Sequence, residues 1–204
     1  MDGRVLTGLP SHRVAQAGLA RTFQNIRLFS DMTVLENVEV AASRSPRAKG
    51  WRRPRRVSSE ALQVLGLEHH AHTIVATLAY GLQRRVEIAR AIATRPYFLF
   101  LDEPAAGLNE AESDELLDVI RSLRGLLEAG VLIVDHDLRL IMRVAERILV
   151  LNEGHMLAQG PPEQIRHDPA VIEAYLGTEA AEEAVEEAAH EESAEAQGSA
   201  STDS

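Results

Sequence analysis

Phe98-Leu99-Phe100-Leu101-Asp102-Glu103-Pro104 joins an apolar run of strand length to two adjacent carboxylates and a proline. Such a run suits a parallel strand covered on both faces, and Val131-Leu132-Ile133-Val134 repeats the pattern further on. Helical periodicity fills the spaces around them. Residues 83–94 place Val86, Ile88, Ala89, Ile92 and Ala93 at helical spacing, and 113–128 and 138–146 also read as helices. Further upstream, Thr33-Val34-Leu35-Glu36 has capping-box spacing and starts a short helix. Ser58 or Ser59 caps another through Leu65, closed by Gly66. Downstream, Ile148-Leu149-Val150-Leu151, the turn Asn152-Glu153-Gly154 and His155-Met156-Leu157-Ala158 predict a hairpin. The chain reads as α/β with a mixed sheet and no internal repeat.

Composition narrows the function classes. The chain has 204 residues, 45% hydrophobic and 25% charged, enough for a packed core. It has no cysteine, which excludes disulfides, thiolate metal sites and cysteine nucleophiles. Aromatics are only 4%, which argues against a stacking platform for nucleic acid. The longest apolar run, Tyr97-Phe98-Leu99-Phe100-Leu101, is far short of the ~18 residues a membrane span needs, and the first ten residues lack a signal-like stretch. The expectation is a cytoplasmic protein.

The net charge of −10 is unevenly spread. Residues 178–204 carry nine acids and no Lys or Arg, so residues 1–177 hold 21 basic against 22 acidic groups (31 minus 9). That Glu/Ala tail has too little apolar bulk to offset ordering entropy and is expected to be disordered, with an acidic interaction tail as the other reading. Seven of the cations (Arg44, Arg47, Lys49, Arg52, Arg53, Arg55 and Arg56) fall within 44–56, which reads as a loop because of Pro46, Gly50 and Pro54. Lys49 is the only lysine in the chain.

Three segments carry chemistry. Asp102-Glu103 would leave the C-terminal end of a parallel strand, where open α/β sheets bind ligands. Adjacent carboxylates there suit phosphoryl transfer, one holding Mg²⁺ and the next orienting or deprotonating water, although an ordinary strand-to-helix turn capped by Asp gives the same spelling. Asp135-His136-Asp137 follows the second strand, so His136 either contacts a transferring phosphate or is a plain surface histidine. Leu78-Ala79-Tyr80-Gly81 opens an amphipathic helix, and its backbone N–H groups suit an anion as well as a simple helix start.

In order, these segments resemble the nucleotide-binding subunit of ATP-binding cassette (ABC) transporters. Arg21-Thr22-Phe23-Gln24 resembles that family's Q-loop, Leu78-Ala79-Tyr80-Gly81 its signature motif and Asp102-Glu103 the Walker B end. Ala105-Ala106-Gly107-Leu108-Asn109 resembles the D-loop, and His136 the switch histidine. The segments RTFQNIRLF, MTVLENV, LAYG, LDEPAAGLN and VIEAYLG are similar, more narrowly, to ATPases of branched-chain amino acid importers, across residues 1–177.

The resemblance implies a P-loop NTPase-like ABC ATPase fold with a helical subdomain at about 33–80. It implies ATP and Mg²⁺ as ligands. Asp102 would hold the metal and Glu103 would activate water. Gln24 would contact the metal or the water, and His136 the γ-phosphate. Leu78, Ala79, Tyr80, Gly81 and Asn109 would bind nucleotide, the signature residues reaching across a head-to-tail dimer of two ATPase subunits. Residues 33–65 would dock on integral membrane permease subunits at the inner face of the plasma membrane. The basic loop would then lie near anionic lipid or simply in solvent; nucleic acid is not expected as a partner, since that loop offers only Trp51 for stacking.

The sequence departs from the family in one large respect. The P-loop, GxxxxGK followed by Ser or Thr, is missing: no Gly stands five places before Lys49, and no Ser or Thr follows it. An N-terminally truncated nucleotide-binding domain is therefore expected, one lacking the strand ahead of the P-loop and the adenine-stacking aromatic. Loss of that strand predicts apolar open edges at 98–101 and 131–134. Smaller departures are Leu82 for a usual polar residue, Ala79 for a hydroxyl and Asp135 where Glu is commoner. Two readings follow: an ATPase subunit of an amino-acid importer, and a non-catalytic remnant or regulatory protein offering only signature and permease-docking surfaces.

Overall fold

The structure, a computed structural model, describes residues 5–44, 54–127 and 129–176. Most of the basic run, including Lys49 and Trp51, and the acidic tail fall outside the described residues. The chain forms two compact units that divide between Asp137 and Leu138.

In the first unit, β1 (Leu19–Arg21), β2 (Phe98–Asp102) and β3 (Gly130–Val134) make a parallel sheet in the order β1-β2-β3. Leu19 pairs with Phe98, and the second ladder runs from Phe98 opposite Gly130 to Asp102 opposite Val134. β2 is therefore bonded on both sides, and the predicted open edge at 98–101 does not exist. Leu19-Ala20-Arg21 is too short and too mixed to announce a strand; it forms one because β2 offers a template. Burial also departs from expectation. Leu99 and Leu101 are fully buried, but Phe98, Leu132 and Val134 remain 45–53% exposed, so the second face of this sheet is not covered among the described residues.

The helices are α1 (Ser11–Gln16), α2 (Val34–Ala42), α3 (Pro54–Val64), α4 (Tyr80–Ala93) and α5 (Glu110–Leu126). Thr33 caps α2 in a full capping box with Glu36, as the spacing predicts. α3 starts earlier than expected. Pro54 occupies its first turn, where the missing N–H costs nothing, and Ser58 and Ser59 bond back to the carbonyls of Pro54 and Arg55 instead of capping. Its end is as read: Gly66 has φ +65°, the Leu67 N–H donates to the Leu62 carbonyl at 2.8 Å, and the Gly66 N–H donates to Gln63 at 3.1 Å, a Schellman closure. α5 also begins three residues early, because Asn109 forms a capping box with Glu112. α2, α3 and α4 pack on one another, and Val34, Val38, Leu62, Leu65, Val86 and Ile88 belong to the same core as Leu99, Leu101 and Leu116.

The second unit contains α6 (Leu138–Val144), β4 (Ile148–Asn152), β5 (His155–Gly160), α7 (Pro162–Arg166) and α8 (Pro169–Leu176). β4 and β5 form the expected hairpin, turned by Glu153 and Gly154, both at positive φ, and bulged between Val150 and Leu151. Ile148, Val150 and Ala158 face Ile165 and Val171. This hairpin is a sheet of its own, so the single mixed sheet read from the sequence is corrected to one parallel and one antiparallel sheet. No helix among the described residues is long and apolar enough to cross a membrane.

Candidate functional site

β2 delivers Asp102 and Glu103 to the C-terminal edge of the parallel sheet. The Asp102 N–H donates to Thr22 Oγ1 at 3.2 Å, and the Glu103 N–H donates to the Val134 carbonyl at 2.8 Å, so the residue just after β1 and the last residue of β3 brace the pair. Glu103 has φ +44°, a left-handed conformation that costs a β-unbranched side chain about 1 kcal/mol or more and that clusters at functional sites. Its carboxylate side chain is 26% exposed.

Gln24 and His136 converge on that carboxylate. Gln24 Nε2 donates to Glu103 Oε2 at 2.8 Å, although 79 residues separate them. His136 Nδ1 lies 3.7 Å from Glu103 Oε1 and 3.5 Å from Asp135 Oδ1, and its ring is 80% exposed. Asp135 is buried; its Oδ1 accepts from the Asp137 N–H at 3.0 Å, while Oδ2 has no hydrogen-bond partner among the described residues.

Asp102 has a partner the sequence did not suggest. Arg21 Nη2 donates to Asp102 Oδ2 at 2.7 Å, and the same guanidinium lies over the Phe23 and Phe100 rings. A cation thus already stands beside the carboxylate expected to hold metal. The oxygens of Asp102 and Glu103 and the Gln24 amide are hard donors of the kind Mg²⁺ accepts. No group of three or more His, Cys, Asp or Glu that could hold a metal forms among the described residues.

The signature-like residues form a second cluster. Leu78 is buried and Ala79 is the N-cap of α4 without a side-chain cap bond. Tyr80 packs on Gly107, where a Cβ would meet its ring at 3.0 Å, and a Cβ on Gly81 would stand 3.0 Å from Glu112 Oε1. Two glycines therefore let the N-termini of α4 and α5 approach closely. Asn109 caps α5 with its side chain, accepting from the Glu112 N–H at 2.9 Å. Sequence reasoning singled out Asn109 as a nucleotide ligand and missed this local work.

It also missed the link between the clusters. Arg84 and Glu87 are buried on α4 and bond the backbone of Phe23 and Gln24. Burial pushes the Glu87 carboxyl above its ordinary pKa, against the hydrogen bond from Phe23 and the charge of Arg84. The signal was present: Arg84 lies four residues before the apolar position Ile88, so a charge falls on the buried stripe of the helix.

Comparison with known proteins identifies the family. A family model described as ABC transporter matches residues 1–106, and one described as branched-chain amino acid ATP-binding cassette transporter matches 155–181. The chain is 45% identical over 190 residues to the high-affinity branched-chain amino acid transport ATP-binding protein BraF of Pseudomonas aeruginosa, covering 87% of this chain and 74% of that one. It is 46% identical over 185 residues to the corresponding protein LivG of Escherichia coli K12, covering 84% and 72%. Its fold is similar to the ADP conformation of MJ1267, an ATP-binding cassette of an ABC transporter, with a TM-score of 0.74 and 24% identity over 87% of this chain and 76% of that one. A dimeric post-hydrolysis state of the cassette MJ0796, bound to ADP and Pi, has a TM-score of 0.66 at 25% identity, over 79% and 72% of the two chains. With two-thirds or more of such relatives covered at this identity, and with the carboxylates, glutamine and histidine gathered at one sheet edge, the chain belongs to the ABC transporter ATPases, a nucleotide-binding family, in their branched-chain amino acid branch.

Proposed function

We propose that this chain is the ATP-binding, ATP-hydrolysing subunit that energises a branched-chain amino acid importer. The observation that carries the reading is the Gln24–Glu103 hydrogen bond one residue beyond Asp102, at the C-terminal end of a parallel strand. Glu103, whose side chain is partly exposed, takes the proton of the attacking water. Gln24 orients that carboxylate, and its amide oxygen, with Asp102, would hold Mg²⁺, which when bound neutralises phosphate charge. For Asp102 to take the ion, the Arg21 guanidinium has to release it. His136, exposed and 3.7 Å from Glu103, contacts the γ-phosphate oxygens.

Residues 1–177 act as the nucleotide-binding domain. Leu78, Ala79, Tyr80 and Gly81 at the start of α4, with Asn109 beside them, face a second ATPase subunit in a head-to-tail dimer. Within the helical subdomain at about 33–80, residues 33–65 dock on the membrane permease subunits. The protein works in the cytoplasm, peripheral on the inner face of the plasma membrane.

A second reading has one observation in its favour. These 204 residues contain no GxxxxGK followed by Ser or Thr, whose backbone N–H groups and lysine grip the phosphates. A non-catalytic protein presenting docking surfaces satisfies that fact. Calorimetric titration with Mg-ATP, with phosphate release measured alongside, separates the two. The 204-residue chain is expected to bind weakly and not turn over. A chimera carrying a family P-loop segment ahead of residue 1 is expected to hydrolyse ATP. A folded chimera without turnover favours the non-catalytic reading.

A further inference from the structure

α4 carries Arg84, Glu87 and Arg90 at successive three-residue steps, and all three reach the segment that bears Gln24. Arg84 Nη1 donates to the Phe23 carbonyl at 2.8 Å and to Glu87 Oε2 at 2.8 Å; its Nη2 donates to the Gln24 carbonyl at 2.9 Å and the Tyr80 hydroxyl at 3.3 Å. From the other side, the Phe23 N–H donates to Glu87 Oε1 at 3.3 Å. Arg90 Nη1 donates to the Arg27 carbonyl, and its guanidinium lies 5.0 Å from the Phe29 ring centre.

We propose that Arg84 and Glu87 are positioning residues for Gln24, their buried pair orienting the peptide between Phe23 and Gln24 so that the Gln24 amide meets Glu103. Residues 23–29 belong to no helix or strand, and Gln24 is itself exposed. An exposed glutamine on irregular backbone has little to hold one rotamer. Here one planar guanidinium takes two consecutive carbonyls while the paired carboxylate takes the N–H of the same segment. Three backbone groups are thereby bonded to a rigid helix. The exposure of Arg84 is zero and its Nε finds no acceptor among the described residues, a poor arrangement if stability alone were at stake. A buried ion pair is weak evidence for stability and better evidence for a defined geometry. Lysine cannot replace the fork, because a point donor does not bridge two carbonyls and a carboxylate in one plane.

The inference rests on the reading of Gln24 and Glu103 given above, and its test needs no turnover. The chain has seven glutamines, and side-chain ¹⁵N labelling gives each a resolvable NH₂ signal; that of Gln24 is identified by its loss in Gln24→Leu. Glu103→Ala gives the position of that signal without its acceptor. In Glu87→Gln and Arg84→Lys the Gln24 signal is expected to move most of the way to that position. Arg85→Lys, whose native partner is the exposed Glu115, is expected to leave it in place. A Gln24 signal unmoved in either folded variant overturns the proposal, even if the melting temperature falls, since that is what a merely structural pair would do. If Arg84→Lys does not fold, the near-isosteric Glu87→Gln decides alone. A chimera that folds but lacks turnover sinks the functional reading and leaves this readout unchanged.

Discussion

Glu103 and Glu87 sit at the two ends of one connection and are built in opposite ways. Glu103 is partly exposed, held in a left-handed turn and contacted by one amide and a distant imidazole. Glu87 is buried in relaxed helix and saturated by Arg84 and the Phe23 N–H. Between them runs the irregular segment with Gln24. A group that must act on a ligand stays under-bonded and open; the group that keeps its neighbour in place is buried and fully engaged. Strain sits at the first and desolvation cost at the second.

The contrast breaks most forcefully at the buried end. Arg84→Met leaves the Glu87 carboxylate without its hydrogen-bonded cation, with only the charge of Arg90 remaining, and chemical denaturation should show a loss of about 3–5 kcal/mol, the cost of splitting a buried pair. A loss below 1 kcal/mol would mean water reaches Glu87 and the two carboxylates are alike.

At the open end, Glu103→Gln should leave stability almost unchanged while cutting turnover of the P-loop chimera at least ~10²-fold, the worth of a positioned base. Persisting turnover would transfer the base role elsewhere. Glu103→Gly probes the same position from the side of strain. Glycine adopts φ +44° freely, so the variant should be more stable by about 1 kcal/mol. A destabilised Gly variant would show that the bonds to Gln24 and the sheet outweigh the backbone strain.

The smallest effect is in pH dependence, and it has opposite signs at two kinds of glutamate. Burial raises the Glu87 pKa, so its contribution is fully present below the unfolded-state pKa and is lost as pH rises through the folded value. The hydrogen bond from Arg56 lowers the pKa of Glu60, so its contribution is present above the unfolded-state pKa and is lost as pH falls through the folded value. Relative to the parent, Glu87→Gln should become less destabilising from acid to neutral pH and Glu60→Gln more so. Denaturation series across the carboxylate range measure both, and slopes of the same sign would contradict the assignment of Glu87 as desolvated.

Short-range chemistry was legible in the chain. The Thr33–Glu36 capping box, the Gly66 helix stop, the strand ending in Asp102-Glu103 and the Glu153-Gly154 hairpin each depend on residues within a few positions, and each stands where its spelling puts it. The family's motifs belong to the same class, being contiguous and in order. Asn109 shows the limit, because a residue read as a ligand has a local capping role spelled equally well by Asn-x-x-Glu.

Tertiary structure decided what needed partners far along the chain. Leu19-Ala20-Arg21 is a strand only because Phe98-Leu99-Phe100 lies beside it, and that pairing made β2 a central strand. Arg21 meets Asp102 and Gln24 meets Glu103 across 81 and 79 residues, contacts that no periodicity encodes. Whether Arg84 was one more charge on a helix or a buried fork on the Phe23–Gln24 backbone depended on which face of α4 turned inward. Periodicity names that face, but only packing supplies the carbonyls the fork finds there.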